Sequence, residues 1–279
     1  MTGFILKRTF SAKENTKFIF LCSDLHLDSP AHDRKLLKAE LDEALRLDAD
    51  ILIGGDIFDA ILHGDKKRHS PSSDTDNTDP KLNVIVQRAY EFLKPYAKKI
   101  VAIGHGNHEM SVVKFNSFDP LDALHFLLQL EKGVDIKQLH YTGIVRYQYE
   151  HSGGGHRRSF DIYFNHGQGA SAEISKGLIM IDRHRKKVDA DIYWFGHTHT
   201  KVVLPSENQI YMSPSGELKN KTIRCLITGC YQKVFNDSTN KEYASVNYGE
   251  EKMRVNQSTG GAMLKVINDD SGYKIKVEV

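Results

Sequence analysis

Ala190-Asp191-Ile192-Tyr193-Trp194-Phe195-Gly196-His197-Thr198-His199 is an apolar run that stops on glycine and then delivers two histidines one residue apart. A short apolar run bounded by glycine reads as a buried strand. In an extended segment residues i and i+2 point the same way, so both imidazoles are expected to reach one site. Neutral imidazole is the commonest protein ligand for a transition metal. Without partners, a His-x-His pair is no more than two polar residues in a surface turn, so its meaning depends on the rest of the chain.

The same pattern recurs upstream. Residues 17–22 form an apolar run that ends in Ser23-Asp24-Leu25-His26, and residues 50–54 form another that closes on Gly55-Asp56 with Asp59 just beyond. Residues 99–103 lead into Gly104-His105-Gly106-Asn107-His108-Glu109, and residues 160–164 lead into Asn165-His166-Gly167. Between these runs, residues 34–47, 81–96 and 120–130 carry apolar side chains at helical period, with Pro95 marking the end of the second helix. A further helix with a basic end is expected over 172–187. Residues 144–149 and 160–164 frame Ser152-Gly153-Gly154-Gly155 as a hairpin, and 201–204, 209–212, 223–227, 263–266 and 273–277 read as later strands.

Strand, helix, strand implies crossover units with parallel strands. Sites in such sheets form beyond the carboxyl ends of the strands, so the distant motifs are expected at one edge. Their donors are oxygen and imidazole without thiolate, a mixture that suits manganese, iron or zinc better than calcium. One ion cannot use all of them, so two ions are indicated, with an aspartate able to bridge. Two ions about 3.5–4 Å apart are the usual arrangement for in-line displacement at phosphorus.

Composition bounds the alternatives. The 279 residues carry a net charge of +2, with 40% hydrophobic and 27% charged residues, as in ordinary globular proteins. This balance offers no global attraction to nucleic acid or acidic membranes. No repeat, coiled coil or linker is evident, so 1–279 reads as a single domain. Residues 63–80 are polar and read as a mobile insertion, either a lid or a tolerated solvated loop. The N-terminal stretch lacks the pattern of a signal peptide, and no apolar run approaches membrane-spanning length. Cys22, Cys225 and Cys230 make no disulfide framework. Cys22 reads as packed in its strand, and Cys225 and Cys230 as reduced thiols, with pairing or metal binding as alternatives. A cytoplasmic location is expected.

Asp24-x-His26, Gly55-Asp56-x-x-Asp59, Gly106-Asn107-His108-Glu109, His166-Gly167 and Gly196-His197-x-His199 together resemble, in order, the signature of the calcineurin-like metallophosphoesterases. The motifs span residues 17–216. The resemblance implies an α/β fold, a four-layer α/β/β/α sandwich with two mixed sheets. It implies that Asp24, His26 and His199 hold one metal, that Asn107, His166 and His197 hold another, and that Asp56 bridges them. The implied cofactors are two divalent transition ions, manganese first, with iron, zinc or nickel as alternatives. The implied nucleophile is a hydroxide shared by the two ions. His108 is implied to protonate the leaving oxygen, and Asp59 to orient it.

The substrate stays open. A phosphodiesterase is the leading expectation; a small stand-alone DNA nuclease, a phosphomonoesterase and a non-catalytic scaffold are the alternatives. The arginines by which the related protein phosphatases hold phosphate are absent, their places taken by His105 and the neighbourhood of Ala60. Repair exonucleases continue into a capping domain and a partner-binding region, for which too few residues follow the last motif. The expected partner is a phosphoester substrate, with nucleotide and nucleic acid among the candidates. Neither a membrane nor a protein partner follows from the residues. Glu109 is expected to face solvent or to steady a ligand imidazole. His105 is either a substrate contact or a strand-end polar group. His32, His63, His69, His125, His140, His151, His156 and His184 read as surface groups. Residues 183–187 read as a solvated basic helix end or an anion contact.

Overall fold

A computed structural model describes residues 1–10, 15–60, 81–151, 158–169, 175–233, 259–269 and 272–278. The insertion at 63–80 and the glycine-rich turn at 152–155 lie outside the described residues. In chain order the elements are β1 (Thr2–Phe10), β2 (Thr16–Cys22), α1 (Arg34–Arg46), β3 (Asp50–Gly54), α2 (Lys81–Leu93), β4 (Ile100–Gly104), α3 (Asn107–Asn116), α4 (Pro120–Gln129) and β5 (Lys137–His140). They continue with β6 (Thr142–His151), β7 (Arg158–Asn165), α5 (Leu178–Arg185), β8 (Ile192–Phe195), β9 (Val202–Val203), β10 (Glu207–Met212), β11 (Leu218–Ile227), β12 (Ala262–Asp269) and β13 (Gly272–Glu278).

Two mixed sheets result. One runs β1-β6-β7-β8-β11-β10, with β9 also on β11; the other runs β13-β12-β2-β3-β4-β5. Strands β2 to β5 are mutually parallel, as are β7, β8 and β11. Side chains that alternate along each strand feed different cores. Phe20, Cys22, Ile51 and Ile53 pack against helices α1 to α4, whereas Ile19, Leu21 and Leu52 enter the space between the sheets. On the other sheet Ile162, Phe164 and Trp194 face inward, while Tyr163, Tyr193 and Phe195 pack outward against Met180 and Ile181 of α5. The chain is therefore a four-layer α/β/β/α sandwich. Burial on both faces explains why its central strands are continuous apolar runs.

Several boundaries differ from the sequence reading. Helix α2 stops at Leu93, and Lys94–Tyr96, which contains Pro95, tightens into a 3-10 turn. Of the helix expected over 172–187, residues 172–174 lie outside the described residues, and α5 begins at Leu178, just after Gly177 with its left-handed φ of +82. Strands β1 and β5 and helix α3 are additional elements. β1 turns Phe4, Leu6 and Phe10 toward the inter-sheet core. Its Arg8 grips Asp50 of β3 through two hydrogen bonds of 2.8 and 2.9 Å, tying the edge of one sheet to the other. All three cysteines are buried and free. Among the described residues no helix is long and apolar enough to cross a membrane.

The two sheets draw close at the edge that carries the motifs. A Cβ at Gly54 would lie 2.6 Å from Phe164 and 2.7 Å from Trp194, so only glycine permits this approach. His166, from the other sheet, then donates its Nδ1–H to the Gly54 carbonyl at 2.9 Å.

Candidate metal centre

Five strands, β2, β3, β4, β7 and β8, end at this edge, and each releases its donors within a few residues. The backbone there is unusual. Asp24, His26, Asp56, His197 and His199 all hold left-handed φ, between 46° and 69°. Such a conformation is uncommon outside glycine and persists only where the surroundings over-determine it. Cross-strand hydrogen bonds supply that constraint. Asp24 N–H donates to Gly55 O at 2.9 Å and His26 N–H to Asp56 O at 3.0 Å. His197 N–H donates to both oxygens of Asp24 at 3.0 Å, and His108 N–H to Asp56 Oδ1 at 2.9 Å.

The side chains gather into two adjoining groups. Asp24, His26 and His199 offer ligand atoms within 4.8 Å of one another, and so do Asp56, His166 and His197. Asn107 joins the second group, its Oδ1 lying 2.6 Å from His197 Nδ1 and 3.2 Å from His166 Nε2. His26 Nε2 faces His199 Nε2 at 3.2 Å. Asp56 Oδ2 lies 3.1 Å from His166 Nε2 and 4.0 Å from His108 Nε2. His26, Asp56 and His108 form a third overlapping triplet, so Asp56 stands between the two groups. His197 and His199 both reach this edge, as expected, and enter adjoining groups, although their left-handed φ replaces the extended backbone that the expectation assumed.

The tautomers test whether a cation suits this cluster. A carbonyl can only accept, so its imidazole partner must carry the proton. His166 gives Nδ1–H to Gly54, and His197 gives Nε2–H to Gly169 O at 2.9 Å. The neutral rings then turn bare nitrogens toward Asp56 and Asn107, acceptor against acceptor. That arrangement is repulsive unless a cation is shared, and a carbonyl behind the ring is the usual support of a ligand histidine. The clustered residues thus fit divalent metal ions.

Without a cation, charge accumulates as protons. Burial lowers the His166 pKa, but Asp56 outweighs it and the value rises to about 9. Burial likewise opposes His199, yet Cys230 and Asp24 carry it well above the usual range. His197 moves the other way, lowered by burial and by His166. Burial would raise Asp56, but His166 and His108 hold it well below the carboxylate range.

His108 lies at the rim of the cluster. Its Nδ1–H donates to the backbone carbonyl of Asp59 at 2.7 Å, leaving Nε2 toward Asp56. The Asp59 carboxylate is 3.4 Å from His108 Nδ1 and 3.3 Å from His26 Nδ1, so it serves two imidazoles.

Three supporting groups lie behind the donors, and their partners could not be read from the sequence. Glu109 is fully buried and accepts from Asp56 N–H at 3.0 Å, Phe58 N–H at 3.0 Å and Gly106 N–H at 2.8 Å. It clamps the backbone of the Asp56 loop and neither faces solvent nor holds a ligand imidazole. Burial and the charge of Asp56 raise its pKa. Asp28 does the same for the next turn, accepting from Asp59 N–H at 2.6 Å and Ala60 N–H at 2.9 Å. Cys230 lies against His199, brought there because β11 runs parallel to β8. A carboxylate three residues into a helix that opens on glycine is the signal that could have exposed Glu109.

The remaining histidines are placed as follows. His105 is buried, bonded to Asp119 at 2.8 Å and stacked on His140 at 5.6 Å. His32 is packed edge-on to Phe92, with burial pulling its pKa down to about 4, so it is not a surface group. His125 donates Nε2–H to Ile136 O at 2.9 Å, and His184 Nδ1 meets the Tyr163 hydroxyl at 2.7 Å. His63, His69 and His156 lie outside the described residues, as does the side chain of His151.

No family model matches the chain, and no curated protein matches its sequence. Among solved structures it is similar to the anchor of the inner membrane complex of Plasmodium, with 10% identity over 95% of this chain and 84% of that one and a TM-score of 0.48. It is similar to a metallophosphoesterase from Sphaerobacter thermophilus, at 14% identity over 94% and 88% with a TM-score of 0.36. A Streptococcus pneumoniae protein described as a predicted phosphoesterase shares 15% identity over 94% and 88%, with a TM-score of 0.33. In the order of its motifs and in its layered architecture the chain resembles the calcineurin-like metallophosphoesterases.

Proposed function

We propose that the protein is a metal-dependent phosphoester hydrolase, and a phosphodiesterase within that class. The observation that carries this reading is the pair of donor groups meeting at Asp56. Asp24, His26 and His199 would hold one divalent ion and Asn107, His166 and His197 the other, with Asp56 shared and manganese the first candidate. Two such ions supply a water ionised near neutral pH and positive charge for the phosphoryl oxygens.

The chain's own groups account for the rest. Asp24 and Asp56 are held by backbone N–H donors, so their free lone pairs are fixed in direction. His108 keeps Nδ1–H on the Asp59 carbonyl, and its Nε2 is the atom that delivers a proton to the departing oxygen. The Asp59 carboxylate, 3.4 Å from the same ring, helps hold its orientation. A diester is favoured over a monoester by His105. Its imidazole is buried and paired with Asp119, so it provides no free cation for a dianionic phosphate.

The test is turnover against leaving-group pKa, with manganese added. His108→Asn should lower turnover on alkyl or nucleotide esters by roughly 10²–10⁴, the usual contribution of a general acid, and cost clearly less on p-nitrophenyl esters. Both metals should stay bound. An equal loss across all leaving groups would sink the acid assignment. Faster hydrolysis of monoesters, or of DNA alone, would replace the diesterase reading with a phosphomonoesterase or a nuclease.

A further inference from the structure

A cavity of about 240 Å³ opens beside the second donor group. Gly169, whose carbonyl accepts from His197 Nε2–H, and Thr198, the residue between the two histidines, both line it. Ile179 and Met180 form an apolar wall, and Gln168, Arg183 and His184 supply polar groups. His184 is set in place by Tyr163 and by edge contact with Phe195 at 5.3 Å. Two neighbouring cations are paired, Arg185 with Glu207 and Lys186 with Asp182, both at 2.6 Å. Arg183 makes no such pair among the described residues and points the basic helix end at this cavity.

We propose that the cavity is the subsite for the nucleoside part of a nucleotide ester, held as the group that stays on phosphorus. This rests on the phosphoesterase reading and names its substrate class. Ligand pockets commonly run to about 300–1,000 Å³, so this one suits a single arm of a substrate whose phosphate lies outside it, at the donors. An apolar wall with a thioether faces a guanidinium, an imidazole and an amide. A flat heterocycle has apolar faces and a polar edge, and sulfur and guanidinium both pack well on such rings. Location sets the role. The cavity adjoins His197, whereas His108 groups with His26 and Asp56, so an arm held here is not the one that takes the proton from His108.

Two esters with the same leaving group isolate the effect. In p-nitrophenyl thymidine 5′-phosphate and bis(p-nitrophenyl) phosphate, water adds to phosphorus, the bond to p-nitrophenolate breaks, and only the retained group differs. With manganese present, the wild type should show kcat/KM roughly tenfold or more higher for the nucleotide ester. Arg183→Ala and Ile179→Trp should each pull that ratio toward one; both side chains are exposed, so folding is preserved. A wild-type ratio near one, or a ratio that neither variant moves, overturns the nucleoside subsite while leaving the phosphoesterase reading intact. Hydrolysis of neither ester defeats the phosphoesterase reading itself.

Discussion

Asp24-Leu25-His26 and His197-Thr198-His199 have the same spacing, follow the same kind of buried strand and carry the same left-handed backbone, with φ of 54° and 46° in one and 69° and 56° in the other. They nevertheless distribute their donors differently. Asp24 and His26 enter one group together, whereas His197 joins Asp56 and His166 and His199 crosses to Asp24 and His26. Spacing tells that two side chains reach an edge. Which neighbours they meet depends on the strands alongside. Asp24 and His26 are both anchored to the β3 loop, and His197 is anchored to Asp24.

The largest way to break this contrast is to remove the group both halves share. Asp56→Asn takes charge from each donor group, so both ions should be weakened and turnover should fall on the order of 10³ or more. Elemental analysis after manganese loading checks this. A variant that still holds two ions would show that Asp56 does not join the halves.

A smaller and more selective effect follows from splitting the His-x-His pair. His197→Ala and His199→Ala should each weaken one ion, and a different one, by roughly 10–100-fold or more. Manganese titration of the metal-free variants, with spin coupling between ions as the second readout, separates them. If both variants lose the same ion, the division of the pair is wrong.

The smallest effect is in the metal-free protein. At pH 6.5 the ring of His197 should be mainly neutral and that of His199 mainly charged, because their shifts have opposite sign. Nitrogen NMR of the ring atoms reads this directly. The same linkage reaches stability. The raised pKa of His166 means that its pairing with Asp56 stabilises fully below about 6.5, the unfolded value, and is lost as pH rises through about 9. The melting temperature without metal should therefore fall across that window, by about 2–4 °C for each kcal/mol lost. A flat or rising profile from pH 6.5 to 9 would contradict the pairing.

Much of the fold is legible because it is buried on both sides. The runs at 17–22, 50–54 and 192–195 are continuous in apolar residues, and such runs identify central parallel strands without any knowledge of their partners. Strand β5, Lys-Gln-Leu-His, is an edge strand with one buried side chain and carries no such signal. Helix α3 is hidden for another reason. Its first turn is Asn107-His108-Glu109, chosen for the site and for the Asp56 clamp, so its amphipathic pattern is weak. The placements of His32, His125 and His184 were equally invisible, since each acquires its partner from an element distant in the chain or from a backbone carbonyl.

The identity of the donors, their position just after buried strands and their oxygen-and-imidazole chemistry are all written in local order along the chain. Periodicity and glycine stops act over a few residues, so they can be read without the fold. The sharing of donors between two groups, the clamping of the loops by Glu109 and Asp28, and the approach of Cys230 to His199 depend on which strands lie side by side. Those distances arise when two sheets close on each other at Gly54, through contacts between residues more than a hundred positions apart, and no local pattern encodes them.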